Sequence, residues 1–157
     1  MQKTVLLMRH GEAGTSLRDF DRPLTEVGVE QCKVRGLMLQ QHNVVCSAIV
    51  SSPALRTTSS AIVVAEVIQY PVDKIIVEEA LYNASEESVL QVIKSFDDTW
   101  HTVLLIGHNP GLSVVAQTLC PQVQGNLDVS ELYAISFPLL HWSDITPAKG
   151  QLITFRL

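Results

Sequence analysis

Two hydrophobic periods alternate along this chain, and each change of period marks an element. Thr4-Val5-Leu6-Leu7-Met8 is an unbroken run that suits a strand covered on both faces. It predicts a first strand over residues 4–8. Thr25 stands before a segment spanning 26–41, where its hydroxyl can cap the first free amides and Glu26 meets the positive helix end. Gly28 and Gly36 inside that helix imply close packing against a neighbour, read here as the sheet.

A second buried strand is expected over 46–50. Ser51-Ser52-Pro53 then reads as a helix start, with Ser52 as cap and Pro53 at the first helical position. That helix covers 55–69 and is stopped by Tyr70-Pro71. A short strand at 74–77 follows, and then a helix capped by Ser85 with Glu86 and Glu87 in its first turn. Val89, Leu90, Val92, Ile93 and Phe96 give this helix one apolar stripe. The next strand is predicted at 102–106 and the next helix at 110–119. Beyond Cys120-Pro121 the period becomes two. Tyr133, Ile135 and Phe137, then Ile153, Phe155 and Leu157, alternate with Ala134, Ser136, Leu152, Thr154 and Arg156, predicting a final antiparallel pair. The whole pattern implies an α/β three-layer sandwich: a mostly parallel central sheet, helices on both faces and a C-terminal strand pair.

Composition narrows the class. The 157 residues suit one domain over 1–157, able to bury roughly 70% of the extended chain's surface. With 46% hydrophobic and 17% charged residues, the chain should fold around an ordinary apolar core. A net charge of −5 argues against nucleic-acid binding through a broad basic face. No segment approaches the ~20 apolar residues of a membrane span, and the run before Arg9 is too short for a signal-peptide core. A cytoplasmic protein is expected. Cys32, Cys46 and Cys120 are odd in number and lack metal or redox spacing, which reads as buried thiols in a reducing compartment.

The chemistry gathers at strand ends. Arg9 and His10 cannot terminate a buried strand without partners, so they belong where the chain leaves the sheet. Thr102-Val103-Leu104-Leu105-Ile106-Gly107-His108 repeats the first strand's pattern with its histidine in the same phase. If both strands are parallel, His10 and His108 emerge at one edge, and Arg56 joins them from the helix after the second strand. Two imidazoles, two guanidinium forks and helix amino termini after Ser52 and His108 favour a phosphoryl group. With no GxSxG and no cysteine in a basic setting, the nucleophile left is histidine, acting through a phosphohistidine. His42, His101 and His141 are not spaced as metal ligands, and no metal or cofactor is expected. Trp100 and Trp142 read as packing residues. Arg18 and Arg22, in the polar connection after Gly11, either guide a substrate or are simply solvated.

Arg9-His10-Gly11-Glu12, Leu24-Thr25-x-x-Gly28-x-x-Gln31, Ser51-Ser52-Pro53-x-x-Arg56 and Gly107-His108-Asn109 together resemble the histidine phosphatase superfamily, which has the phosphoglycerate mutase-like fold. Arg22-Pro23-Leu24-Thr25 and Gly107-His108-Asn109-Pro110-Gly111 are most similar to its small SixA-type phosphohistidine phosphatase branch. The resemblance implies His10 as nucleophile and Arg9, Arg56 and His108 as the phosphate pocket, with Gly11, Arg22 and Asn109 as further substrate-binding positions. It implies Glu79 as general acid, with Glu78 and Glu12 as rivals. A phosphoramidate substrate needs that acid less, because its imidazole leaving group can carry its own proton. The resemblance also implies that the long lid-building insertions of larger relatives are absent, which favours phosphohistidine presented by a partner such as a phosphotransfer domain. A small-molecule phosphomonoesterase or phosphoglycerate mutase-like enzyme is the alternative. A non-catalytic phosphate-binding module is the remoter one.

Overall fold

The computed structural model describes residues 2–155, so the expected alternation at Arg156 and Leu157 lies outside the described residues. Six strands form one sheet in the order β3-β2-β4-β1-β5-β6. They are β1 (Lys3–Arg9), β2 (Ala48–Ser51), β3 (Ile76–Val77), β4 (Thr102–Gly107), β5 (Leu132–Phe137) and β6 (Gln151–Ile153). β3, β2, β4 and β1 run parallel, while β5 lies antiparallel between β1 and β6.

The apolar runs form central strands because both faces of the sheet are covered. Val5, Leu7, Val103 and Leu105 enter one core, against α3 (Glu86–Lys94) and α4 (Gly111–Leu119). Leu6, Met8, Leu104 and Ile106 enter the other, against α1 (Glu26–Gln41) and α2 (Leu55–Val67). Each buried aliphatic side chain contributes about 1.5–3 kcal/mol of transfer free energy, and a one-residue slip would exchange the two faces. Thr4 therefore pairs with Thr102, and the register runs on to Arg9 opposite Gly107.

Several elements match the expected pattern. Thr25 caps α1 by accepting from the Gly28 amide at 3.0 Å, and Ser85 caps α3 by accepting from Ser88 at 3.3 Å. β5 and β6 pair antiparallel, with Ile135 opposite Leu152, but β6 ends at Ile153, so Thr154 and Phe155 of the expected alternation lie beyond it. Trp142 is fully buried and donates its indole N–H to the Trp100 carbonyl at 3.0 Å.

Other elements depart from it. α2 begins at Leu55 with Ala54 at the cap position, and no side chain caps it. The Ser52 hydroxyl, expected there, still accepts from the Ala54 amide at 3.4 Å, just before the helix, and is shared with a tertiary partner, His108, at 2.7 Å. β3 is reduced to Ile76–Val77 because a 3-10 turn, Val72–Lys74, occupies the start of the expected strand. Neither helical glycine packs on the sheet. A Cβ on Gly36 would meet Val67 of α2 at 2.8 Å, and one on Gly28 would meet the chain leaving β1. Among the described residues no helix is long and apolar enough to cross a membrane, and Cys32, Cys46 and Cys120 are buried and unpaired.

Candidate active site

The matched runs deliver their histidines side by side at the carboxyl edge of the sheet. His10 follows β1 directly, and its backbone is pinned on both sides. Its N–H donates to the Gly107 carbonyl at 3.3 Å, and its carbonyl accepts from Ser130 at 2.9 Å. The His10 and His108 rings meet edge to face with centroids 5.6 Å apart. α2 starts after β2 at the same edge and brings Arg56 in its first turn.

Hydrogen bonding sets the two histidines in opposite tautomers. His10 Nδ1 stands 2.7 Å from the Gly11 carbonyl oxygen, which can only accept, so Nδ1 carries the proton and Nε2 keeps its lone pair. His108 Nδ1 lies 3.3 Å from Arg56 Nη2, which can only donate. The His108 proton therefore sits on Nε2, which donates to Ser52 Oγ at 2.7 Å. Burial lowers the His10 pKa to about 4; the Gly11 carbonyl opposes this, while Arg56, Arg9 and Arg22 reinforce it. Burial, then Arg56, lowers that of His108 to about 3. Both rings are neutral at pH 7, as a nucleophile requires.

The arginines are held at one end and left free at the other. Arg9 donates from Nη1 to the Leu127 carbonyl at 3.3 Å. Arg56, almost wholly buried, donates to the backbone and carboxylate of Asp19 at 2.8 and 3.1 Å. Yet Nε of Arg9 and Nε of Arg56 are both buried without a hydrogen-bond partner. Unpaired cationic donors in an apolar setting are costly unless an anion completes them. Both arginines belong to the wall of a cavity of about 290 Å³ lined by Arg9, His10, Arg22, Arg56, His108 and Asn109, with Glu12, Ala13, Asn83 and Val129 completing it. A larger groove of about 590 Å³ runs along α1, but its lining includes no imidazole. Among the described residues no cluster of histidine, cysteine and carboxylate side chains is arranged to hold a metal ion.

The expected residues thus meet, with two exceptions: Gly11 is not among the residues lining the cavity, its amide held by Ser60 and its carbonyl by His10, and Glu79 lies away from it. Glu79 is exposed on the 3-10 turn Glu79–Leu81 and is not among the residues lining the cavity, because that turn spends its inward position on the buried Leu81. Its rival Glu78 accepts from the Ala80 amide at 3.2 Å, while Glu12 does line the cavity. Asn109 reaches the wall with its amide engaged at both ends, by the Leu127 carbonyl and the Ser113 hydroxyl, each at 2.7 Å. Arg22 is tied to the Gly14 carbonyl at 2.8 Å and to Asp19 at 3.3 Å.

Other participants carry no sequence signal of their own. Ser60 accepts from the Gly11 amide at 3.0 Å, and Gln31 accepts from the Glu12 amide at 2.9 Å. Tyr82 lays its ring against His108, centroids 5.7 Å apart, and donates to Asp19 at 2.7 Å. Only the spacing Thr25-x-x-Gly28-x-x-Gln31 hinted at this layer, since all three residues contact the chain around Glu12.

Comparison with known proteins bears on the fold and the family. The uncharacterized protein Rv1276c of Mycobacterium tuberculosis is 26% identical over 161 residues, covering 96% of this chain and 99% of the relative. A structure of the protein histidine phosphatase SixA complexed with tungstate superposes with a TM-score of 0.83 at 21% identity, covering 96% of this chain and 94% of that one. The mycobacterial glucosyl-3-phosphoglycerate phosphatase superposes with a TM-score of 0.70 at 13% identity, covering 99% of each chain. These likenesses define the fold as the α/β, phosphoglycerate mutase-like one. The family model for the histidine phosphatase superfamily (branch 1) matches residues 5–87, which take in Arg9, His10 and Arg56. That match spans more than half the sequence, and the chain belongs to the histidine phosphatase superfamily.

Proposed function

We propose that this chain, acting as one domain over 1–157, removes phosphate from phosphohistidine on a partner protein, such as a phosphotransfer domain, through a phosphohistidine of its own on His10. The observation that carries this reading is the pair of buried, unpartnered Nε donors of Arg9 and Arg56 beside two neutral imidazoles. The guanidinium groups of Arg9 and Arg56 would stabilise the equatorial phosphoryl oxygens, and His108, its Nε2–H given to Ser52 and its Nδ1 facing Arg56, would hold Arg56 beside them. His10 Nε2 then attacks phosphorus in line. The P–N bond to the substrate imidazole breaks, and its electron pair returns to that nitrogen. If the other substrate ring nitrogen is protonated, the leaving imidazole departs neutral. His10 becomes a phosphorylated imidazolium, its Nδ1–H held by the Gly11 carbonyl. Water next attacks phosphorus, freeing dihydrogen phosphate and neutral His10.

Arg22 serves at the rim, and Asn109 holds the wall at Leu127. Glu12 is the carboxylate placed to assist a poorer leaving group. The cavity, about 290 Å³, sits at the lower edge of the roughly 300–1,000 Å³ that enclose small ligands. This size favours a phosphoryl group presented from outside. Three unpaired buried thiols suit a reducing, cytoplasmic setting. The second reading, a small-molecule phosphomonoesterase, draws on the fold shared with the glucosyl-3-phosphoglycerate phosphatase.

The test compares initial rates on a phosphohistidine-bearing phosphotransfer protein, a sugar phosphate and phosphoglycerate. The first should be fastest, and His10→Ala should abolish both turnover and acid-labile labelling of the enzyme. Faster turnover of either small ester would favour the second reading. Tight phosphate binding with no turnover of any substrate would make the chain a binding module.

A further inference from the structure

Asp19 is absent from the cavity wall, yet four hydrogen bonds around the cavity end on it. Arg56 Nη1 donates to its carbonyl at 2.8 Å, and Arg56 Nη2 donates to Oδ2 at 3.1 Å. Tyr82 also donates to Oδ2, at 2.7 Å, and Arg22 Nη1 donates to Oδ1 at 3.3 Å. A guanidinium is a planar fork with two usable edges, the Nη1/Nη2 end and the Nε/Nη2 side. Asp19 occupies the end. The side edge holds the unpartnered Nε–H and the Nη2 that reaches His108.

We infer that Asp19 is a positioning residue for the phosphoryl site: by gripping the end of Arg56 it makes the Nε side edge the one offered to the substrate oxygens. The inference rests on reading the cavity as a phosphoryl site. Asp19 itself touches no phosphoryl group. Hydrogen bonds from Tyr82, Arg56 and Arg22 keep its pKa at about 2, so the grip persists at any working pH. Tyr82 completes the clamp from behind, packed between Phe20 and His108 with ring centroids 5.2 and 5.7 Å away.

The sign of one effect separates positioning from plain electrostatics. A carboxylate near an anion site repels the anion, so removing it should tighten phosphate binding if charge alone mattered. Positioning predicts the reverse. Inorganic phosphate, with tungstate as a second probe, is titrated into the full chain by calorimetry. The set is wild type, Asp19→Ala, Asp19→Asn, Arg56→Lys and the Asp19→Ala/Arg56→Lys double variant, with melting temperatures as folding controls. Asp19→Ala should weaken phosphate about tenfold, and Asp19→Asn less, because its amide oxygen still accepts one donor. In the Arg56→Lys background Asp19→Ala should cost nothing further, since the fork it aligns is gone. Equal or tighter binding by Asp19→Ala, or by Asp19→Asn should the alanine variant not fold, overturns the inference alone. So does an equal loss in both backgrounds. Wild type that binds neither anion overturns the phosphoryl reading and this inference with it.

Discussion

Gly28 lies so close to Glu12 that a Cβ on it would stand 2.1 Å from the Glu12 carbonyl oxygen. The chain leaving β1 thus crosses the first turn of α1 backbone to backbone, and Gly11 makes the reciprocal contact, 2.6 Å from a Cβ to the Gly28 carbonyl. No rotamer relieves a clash with main chain. Gly28→Ala should cost about 2–3 kcal/mol, a fall in melting temperature of roughly 5–10 °C, and should displace Glu12 and with it His10. Thermal unfolding and turnover together check this. Wild-type values for both would mean that the crossing yields without strain.

Ser52 and His108 make the second testable pair. Ser52 is fully buried and accepts the Nε2 proton of His108 at 2.7 Å. In Ser52→Ala that proton loses its acceptor, and transfer to Nδ1 would set it against Arg56 Nη2. Leaving a buried donor unpaired costs about 1–3 kcal/mol, so catalytic efficiency should fall about tenfold or more. Steady-state kinetics at pH 7 provide the measurement, and an unchanged kcat/KM would refute the tautomer argument.

The histidine pKa values predict how stability depends on pH. The folded-state values, about 4 for His10 and about 3 for His108, lie below the ordinary histidine value of 6.5. Between these limits the unfolded chain binds more protons, so stability rises with pH across the window. It is fully present above 6.5 and declines as pH falls toward 4 and then 3. The ceiling is about 1.4 kcal/mol per pH unit for each histidine, or about 2 kcal/mol each at pH 5. Urea unfolding at pH 7 and pH 5 tests this directly. His10→Asn should remove about half of the difference, and a pH-independent midpoint would contradict the burial of both rings.

The same values bear on catalysis. Only neutral His10 can attack, so the enzyme's contribution to kcat/KM should rise through about pH 4 and stay level to pH 7. An enzyme-borne inflection near 6.5 would show a solvated imidazole. An aryl phosphate of known ionisation allows the substrate's own titration to be subtracted.

Placement separates the two carboxylates. Glu12 lines the cavity, and Glu79 is exposed and does not. On an aryl phosphate Glu79→Gln should stay within about twofold of wild type, whereas Glu12→Gln should lose about 10²-fold if it donates the proton. On a phosphohistidine protein both effects should shrink. A large loss in Glu79→Gln alone would return the acid to the position inferred from resemblance.

The elements that could be read directly were those whose causes are local. The apolar runs of β1 and β4, the Thr25 and Ser85 caps and the period-two strands β5 and β6 each follow from neighbouring residues in the chain. The convergence of His10 and His108 was legible too, since two matched strands in parallel register must release their next residues at one edge. Tertiary structure decided what depended on distant partners. Ser52 shares its hydroxyl between the Ala54 amide and a histidine 56 residues away, and Asp19 took Arg56 and Tyr82 at separations of 37 and 63. The helical glycines met backbone and helix instead of sheet, and Glu12 rather than Glu79 came to the wall. Local pattern specifies which backbone a segment adopts. The choice of hydrogen-bond partner for a polar side chain is made by whichever groups the completed fold brings within about 3 Å of it.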